Sequence, residues 1–210
     1  MNPLQPPITI IIVFIIIQLT LNQKANGQGI IKQMGFKSGL NVSHMSNTDD
    51  DIPRVRFNLG AYYRMPISKR FYFVPELLFQ ARGAKIEPDF SEPAPNVNIL
   101  SLDTPALIRY TFRSQNGWMV TSGPNVSFAF RTRVNNDRSG DDRLSASISE
   151  IINTVTFGWI GEVGYKWPSS ITKGSFLVTM RYKRGITSQF VDDPDNTIND
   201  IFSVNLGFEF

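Results

Sequence analysis

Two groups of residues in this chain have the types that chemistry needs. The first surrounds the single histidine: Ser43, His44 and Ser46 run into Asp49, Asp50 and Asp51. A hydroxyl, an imidazole and a carboxylate are the members of a nucleophilic triad, but a triad also needs a base held against its nucleophile by a third group. Here every candidate falls in one short polar stretch, which reads as a solvated loop. The second group is a set of charges spaced along the whole chain: Lys37, Arg56, Arg64, Glu76, Arg82, Asp103, Arg109, Arg131, Glu162, Lys166, Arg181, Lys183 and Glu209. Such a set either relays ions or protons, or neutralises itself as a structural network. The second reading fits better, with Glu76, Asp103 and Glu162 set against Arg56, Arg109, Arg181 and Lys183. Glu76 and Asp103 fall on neighbouring segments, so a carboxylate cluster around Arg109 is geometrically reasonable. Asp49–Asp51 and Asp192, Asp193 and Asp195 lack the spacing of a calcium loop. No phosphate-cradling glycine loop or metal-ligand cluster appears, so no cofactor is expected. The net charge of +3 comes from scattered basic residues, without the run that a nucleic-acid partner requires.

The elements that carry these charges are set by the residues between them. Residues 202–210 read Phe-Ser-Val-Asn-Leu-Gly-Phe-Glu-Phe, strict alternation of apolar and polar, the period of a strand with one greasy face. The same period recurs in seven earlier segments, beginning near residues 34, 54, 71, 98, 118, 155 and 176. In each, the charges share the parity of the small and polar residues, and the aromatics take the other. Thus Trp118, Trp159, Trp167, Tyr165, Phe176, Phe208 and Phe210 fall on the apolar face, and Lys37, Glu76 and Arg109 on the polar one. Pro75 interrupts the third segment and predicts a bulge there. Phe128 is expected on the apolar face of the fifth. Arg184 alone among the strand charges takes the apolar parity, near a loop end where its stem can snorkel.

So many charges on one parity cannot line a dry soluble core. They fit a barrel that is polar inside and apolar outside. The connections agree: the first, third, fifth and seventh are long and polar, while the second, fourth and sixth are short. That is the asymmetry of an outer-membrane barrel, with extracellular loops and periplasmic turns. On this reading Trp118, Tyr165, Trp167, Phe208 and Phe210 form an aromatic girdle at the short-turn rim. Eight strands leave an interior that side chains fill, so Glu76, Asp103, Arg109, Glu162, Arg181 and Lys183 are expected to plug the lumen as a structural charge cluster.

The N-terminus carries an apolar run over residues 8–21, too short for a spanning helix and suited to the core of a secretory signal. Ala25, Asn26 and Gly27 supply a cleavage site, which divides the chain into a signal peptide, 1–27, and a barrel domain, 28–210. No Lys or Arg precedes the run, so a retained anchor is the alternative. Cysteine is absent, and a closed ladder of strands needs no disulfide.

Several stretches together resemble the PorT-like outer-membrane β-barrel domain family of Gram-negative bacteria. They are Gly35-Phe36-Lys37-Ser38-Gly39-Leu40-Asn41, Phe73-Val74-Pro75-Glu76-Leu77-Leu78-Phe79-Gln80-Ala81-Arg82-Gly83, Leu102-Asp103-Thr104-Pro105-Ala106-Leu107-Ile108-Arg109-Tyr110, Gly123-Pro124-Asn125-Val126, Arg181-Tyr182 with Gly185-Ile186-Thr187, and Leu206-Gly207-Phe208-Glu209-Phe210. Ala106 departs from the family's bulkier aliphatic. The resemblance implies an outer-membrane location, and its namesake is tied to a protein secretion system.

The combined expectation is an all-β, eight-stranded antiparallel up-and-down transmembrane β-barrel in the cell outer membrane. It would be non-catalytic and structural or surface-interacting, through loops near Asp49, Glu92, Asn136 and Asp193. A component of a PorT-type secretion apparatus is the alternative, and an enzyme built around His44 the weaker one. The expected partners are outer-membrane lipids, the barrel-assembly machinery through the C-terminal strand, and an envelope protein; no nucleic acid is expected.

Overall fold

The computed structural model describes residues 33–46, 51–52, 54–82, 85–86, 96–113, 116–135, 153–170, 173–188 and 198–210. The N-terminal apolar run expected to be a secretory signal and most of the long connections, including Asp49, Glu92, Asn136 and Asp193, lie outside them, as does the side chain of Arg131.

Eight long strands carry the fold: β1 (Gln33–Ser46), β2 (Arg54–Pro66), β3 (Phe71–Arg82), β4 (Asn96–Thr111), β5 (Gly117–Asn135), β6 (Val155–Pro168), β7 (Ser175–Gly185) and β8 (Ile198–Glu209). Each pairs antiparallel with the next, and β8 pairs with β1 from Gly35–Glu209 to Ser46–Ile198, so the sheet closes on itself and keeps no free edge. The connections 67–70, 112–116 and 169–174 are the short ones. Two further two-residue strands, Asp51–Ile52 and Lys85–Ile86, pair with each other inside connections that read as plain loops.

Alternation is what makes these strands and what orients them. In β6 every residue from Val155 to Trp167 switches between exposed and buried. Trp118, Trp159 and Trp167 face out, at 60%, 52% and 38% exposure, while Glu76 and Arg109 are buried inside. The buried interior is therefore polar and the exposed surface apolar, the reverse of a water-soluble protein.

Two local expectations are corrected. Pro75 makes no bulge: Phe71–Tyr110 through Leu78–Asp103 keep one register on the β4 side, and the β2 side keeps its register from Tyr62–Glu76 to Met65–Phe73. Proline lacks the donor, so the ladder opens locally without slipping. The register shift lies instead between Leu100 and Ser101, which face Arg131 and Ala129 of β5. Beside it Phe128, expected on the apolar face, is buried together with Ser127. An extra residue in one strand breaks the strict alternation of sides there.

Candidate functional site

The interior side chains form three tiers. At the short-turn end Glu209 accepts from Lys166 Nζ at 2.6 Å, with Arg64 Nη2 at 3.3 Å and Arg109 Nη1 at 3.6 Å. Tyr62 Oη lies 3.4 Å from the same carboxylate, and its ring lies 5.3 Å from the Arg109 guanidinium carbon and 5.7 Å from Lys37 Nζ. That ring needs Gly35 beside it: a Cβ at position 35 would stand 2.2 Å from Tyr62 Cζ. Arg64 in turn covers Tyr72 at 4.5 Å. These cations thus meet aromatic faces as well as carboxylates.

The middle tier is a ring of alternating sign. Lys37 Nζ lies 2.6 Å from Glu76 and 3.4 Å from Glu162; Arg181 Nη2 lies 2.8 Å from Glu76 and 2.6 Å from Glu162. β1, β3, β6 and β7 each supply one member, so the ring crosses the barrel. Arg109 reaches toward it, 3.9 Å from Glu162. Beyond the ring, toward the long connections, Lys183 Nζ holds Asp103 at 2.7 Å and Ser127 Oγ at 2.6 Å, and Asn125 donates to Ser127 at 2.8 Å. Apolar inward residues, among them Val74, Leu107, Met119 and Leu177, pack with Tyr62 and Tyr72 as a buried cluster. A small gap of about 10 Å³ lies between Asn58, Leu78, Asp103, Ile160 and Lys183.

The six charges singled out in the sequence are all buried in this interior, but they do not share one cluster. Glu76, Glu162 and Arg181 meet in the ring. Asp103 and Lys183 form a separate pair. Arg109 does not gather Glu76 and Asp103: it donates through Nε to Thr121 Oγ1 at 3.3 Å and stands between Glu162 and Glu209. The reason is distance along the strand, since Asp103 is six residues up β4, about 20 Å away. Arg56 is half-buried and donates to Asn98 Oδ1 at 2.5 Å, not to one of the three carboxylates. Lys37 and Glu209 were legible as inward charges, yet their central place depends on which strands face each other across the lumen.

The aromatic residues form a nearly continuous contact line outside. Trp118 meets Tyr165 at 5.4 Å, and the line continues through Trp167, Phe176, Phe208 and Phe210 to Phe36, with centroid separations of 5.2–6.4 Å. All lie toward the short-turn rim.

His44 lies near the long-connection end of its strand. It belongs to β1 opposite Asp200, and it is exposed whereas Ser43 is buried on the other face. Successive strand side chains point to opposite sides, so this hydroxyl and this imidazole diverge. Among the described residues no three His, Cys, Asp or Glu side chains converge as a metal site.

No curated protein matches the sequence. The fold is similar to OprG of Pseudomonas aeruginosa, with a TM-score of 0.52 at 12% identity over 86% of this chain and 97% of that one. Neisserial surface protein A is also similar, at 14% identity, 86% and 98% coverage and a TM-score of 0.48. The family model described as outer membrane protein beta-barrel domain matches residues 23–191. With the closed ladder, the greasy outside and the ionic inside already in view, that match makes the chain a member of this outer-membrane β-barrel family.

Proposed function

We propose that this outer-membrane protein is a non-catalytic barrel with a plugged lumen, serving a structural or surface-interaction role through its long connections. The observation that supports the reading best is the Lys37–Glu76–Arg181–Glu162 ring spanning the interior. Paired and hydrogen-bonded, these charges leave little space for a continuous aqueous path, and the apolar cluster adds to the obstruction. On this reading lipids contact the outer face, the aromatic line serves as a girdle at the periplasmic interface, and the long connections face the cell exterior. β8 is the segment that the barrel-assembly machinery would engage. The divergence of Ser43 and His44 weighs against a hydrolase, and His44→Ala is expected to leave any measured activity intact. The test is conductance in planar bilayers. The purified barrel should show no steady conductance, and deletion of a long connection should abolish partner binding while the barrel still assembles. A steady ohmic channel in the unmodified protein would overturn the plugged reading.

A PorT-like subfamily and a place in a secretion apparatus form the second reading. It is favoured by the motifs at 73–83 and 102–110, whose order and spacing match that family. It requires a stable complex with other envelope proteins after gentle detergent extraction. Recovery of the barrel alone would remove it.

A further inference from the structure

Among the described residues seven cations are buried in the interior against four carboxylates. Six of the seven lie within 4.0 Å of a carboxylate; Arg82 lies that close to none among the described residues. It is 1% exposed, at the last position of β3 and so at the long-connection end of the lumen. Asp103, whose charge acts on Arg82 through space, is already held by Lys183 at 2.7 Å. Its Nε and Nη2 have no hydrogen-bond partner. These two atoms are one edge of the guanidinium, two parallel N–H donors in a fixed fork.

A buried cation with two of its donors left unpaired is costly. The fork edge of arginine matches two oxygens of a carboxylate or phosphate, a match that a spherical ion or a single water does not make. The surroundings favour negative charge as well. Two positions beyond the Asn58–Gln80 pair, β2 carries Arg56 and β3 carries Arg82. Arg56 is half-buried and already donates to Asn98. Asn41, which donates to Ala81 O at 2.8 Å beside Arg82, keeps its own Oδ1 unpartnered, so the site is polar enough to share bound water.

We propose that the Arg82 fork is a binding site for a small free oxyanion, a phosphate or a carboxylate, entering the lumen from its long-connection end. A lipid headgroup does not serve, because the side chain points into the barrel and away from the bilayer.

The test uses the full barrel in a phosphate-free, non-ionic detergent, with inorganic phosphate as the probe and acetate as its competitor. Phosphate should raise the unfolding midpoint saturably, while chloride at equal ionic strength should not. It should also broaden the ³¹P resonance, and acetate should reverse the broadening. Arg82→Lys keeps the charge and loses the fork, so phosphate should bind at least about tenfold more weakly, a difference of about 1.4 kcal/mol. Lys69→Gln, at the opposite short-turn end, should bind as the parent does. Equal effects of chloride and phosphate, or unchanged binding in Arg82→Lys, would sink the proposal. So would a barrel that ignores phosphate but is destabilised by Arg82→Lys, which would mean that a carboxylate of the chain itself fills the fork. If Arg82→Lys does not fold, the ³¹P competition on the parent barrel decides alone, and absence of acetate-reversible broadening counts against the site.

Discussion

Glu209 shows how much one interior carboxylate controls. It is 1% exposed and is the sole carboxylate within reach of both Lys166 and Arg64 among the described residues. Glu209→Gln keeps the shape and removes the charge, leaving buried cations unpaired. Breaking such a pair from one side costs about 3–5 kcal/mol. Urea unfolding in micelles should show a loss of that order, whereas Lys69→Gln, exposed in the 67–70 turn, should change little. Gly35 makes a second residue-scale case. Any side chain there displaces the Tyr62 ring, so Gly35→Val should destabilise by about 1–3 kcal/mol. Tyr62→Leu should relieve part of that strain, and a double-mutant cycle measures the coupling. The parity of these residues was legible from alternation alone. Their partners were not, because Arg109 finds Glu209 across the lumen through the stagger of the strands, and stagger is written in no single segment.

At the scale of the element, the outer face of each strand is a depth gauge. Met180 sits mid-strand on β7, opposite Val163 and Val204, and is 58% exposed. A positive charge at that depth should cost about 2–4 kcal/mol, so Met180→Arg should weaken folding into lipid vesicles by that amount. The neighbouring inward position tolerates charge, since Arg181 already stands there. The strands themselves were readable because apolar and polar residues switch at every step, as in β6. The reading failed where the step was irregular. Phe128 changes sides next to a register shift whose partners lie on another strand, and Pro75 breaks a ladder without moving it. A proline announces a missing donor, but only the register on both flanks tells whether an extra residue accompanies it.

For the whole molecule, closure is the decisive event. β1 pairs with β8 over the full length from Gly35 to Ser46, so the first and last strands meet along a complete seam. A ladder without ends should resist detergent until heated. The unboiled protein should therefore migrate faster than the boiled one in dodecyl sulfate gels, and Leu40→Pro within the seam should abolish the compact band. A ladder-breaking residue at Ile67, in a short turn outside the strands, should leave that band in place.

The same inversion of faces has a logistical outcome. Only 41% of the residues are hydrophobic, and they are interleaved with polar ones along nearly every segment that becomes a strand. Unfolded, such a polymer presents no long oily block past its first two dozen residues, so an aqueous crossing need not strand it in the first bilayer it meets. The oily coat exists only once alternate side chains have been sorted to opposite sides. Membrane affinity is thus a product of shape, acquired at the destination.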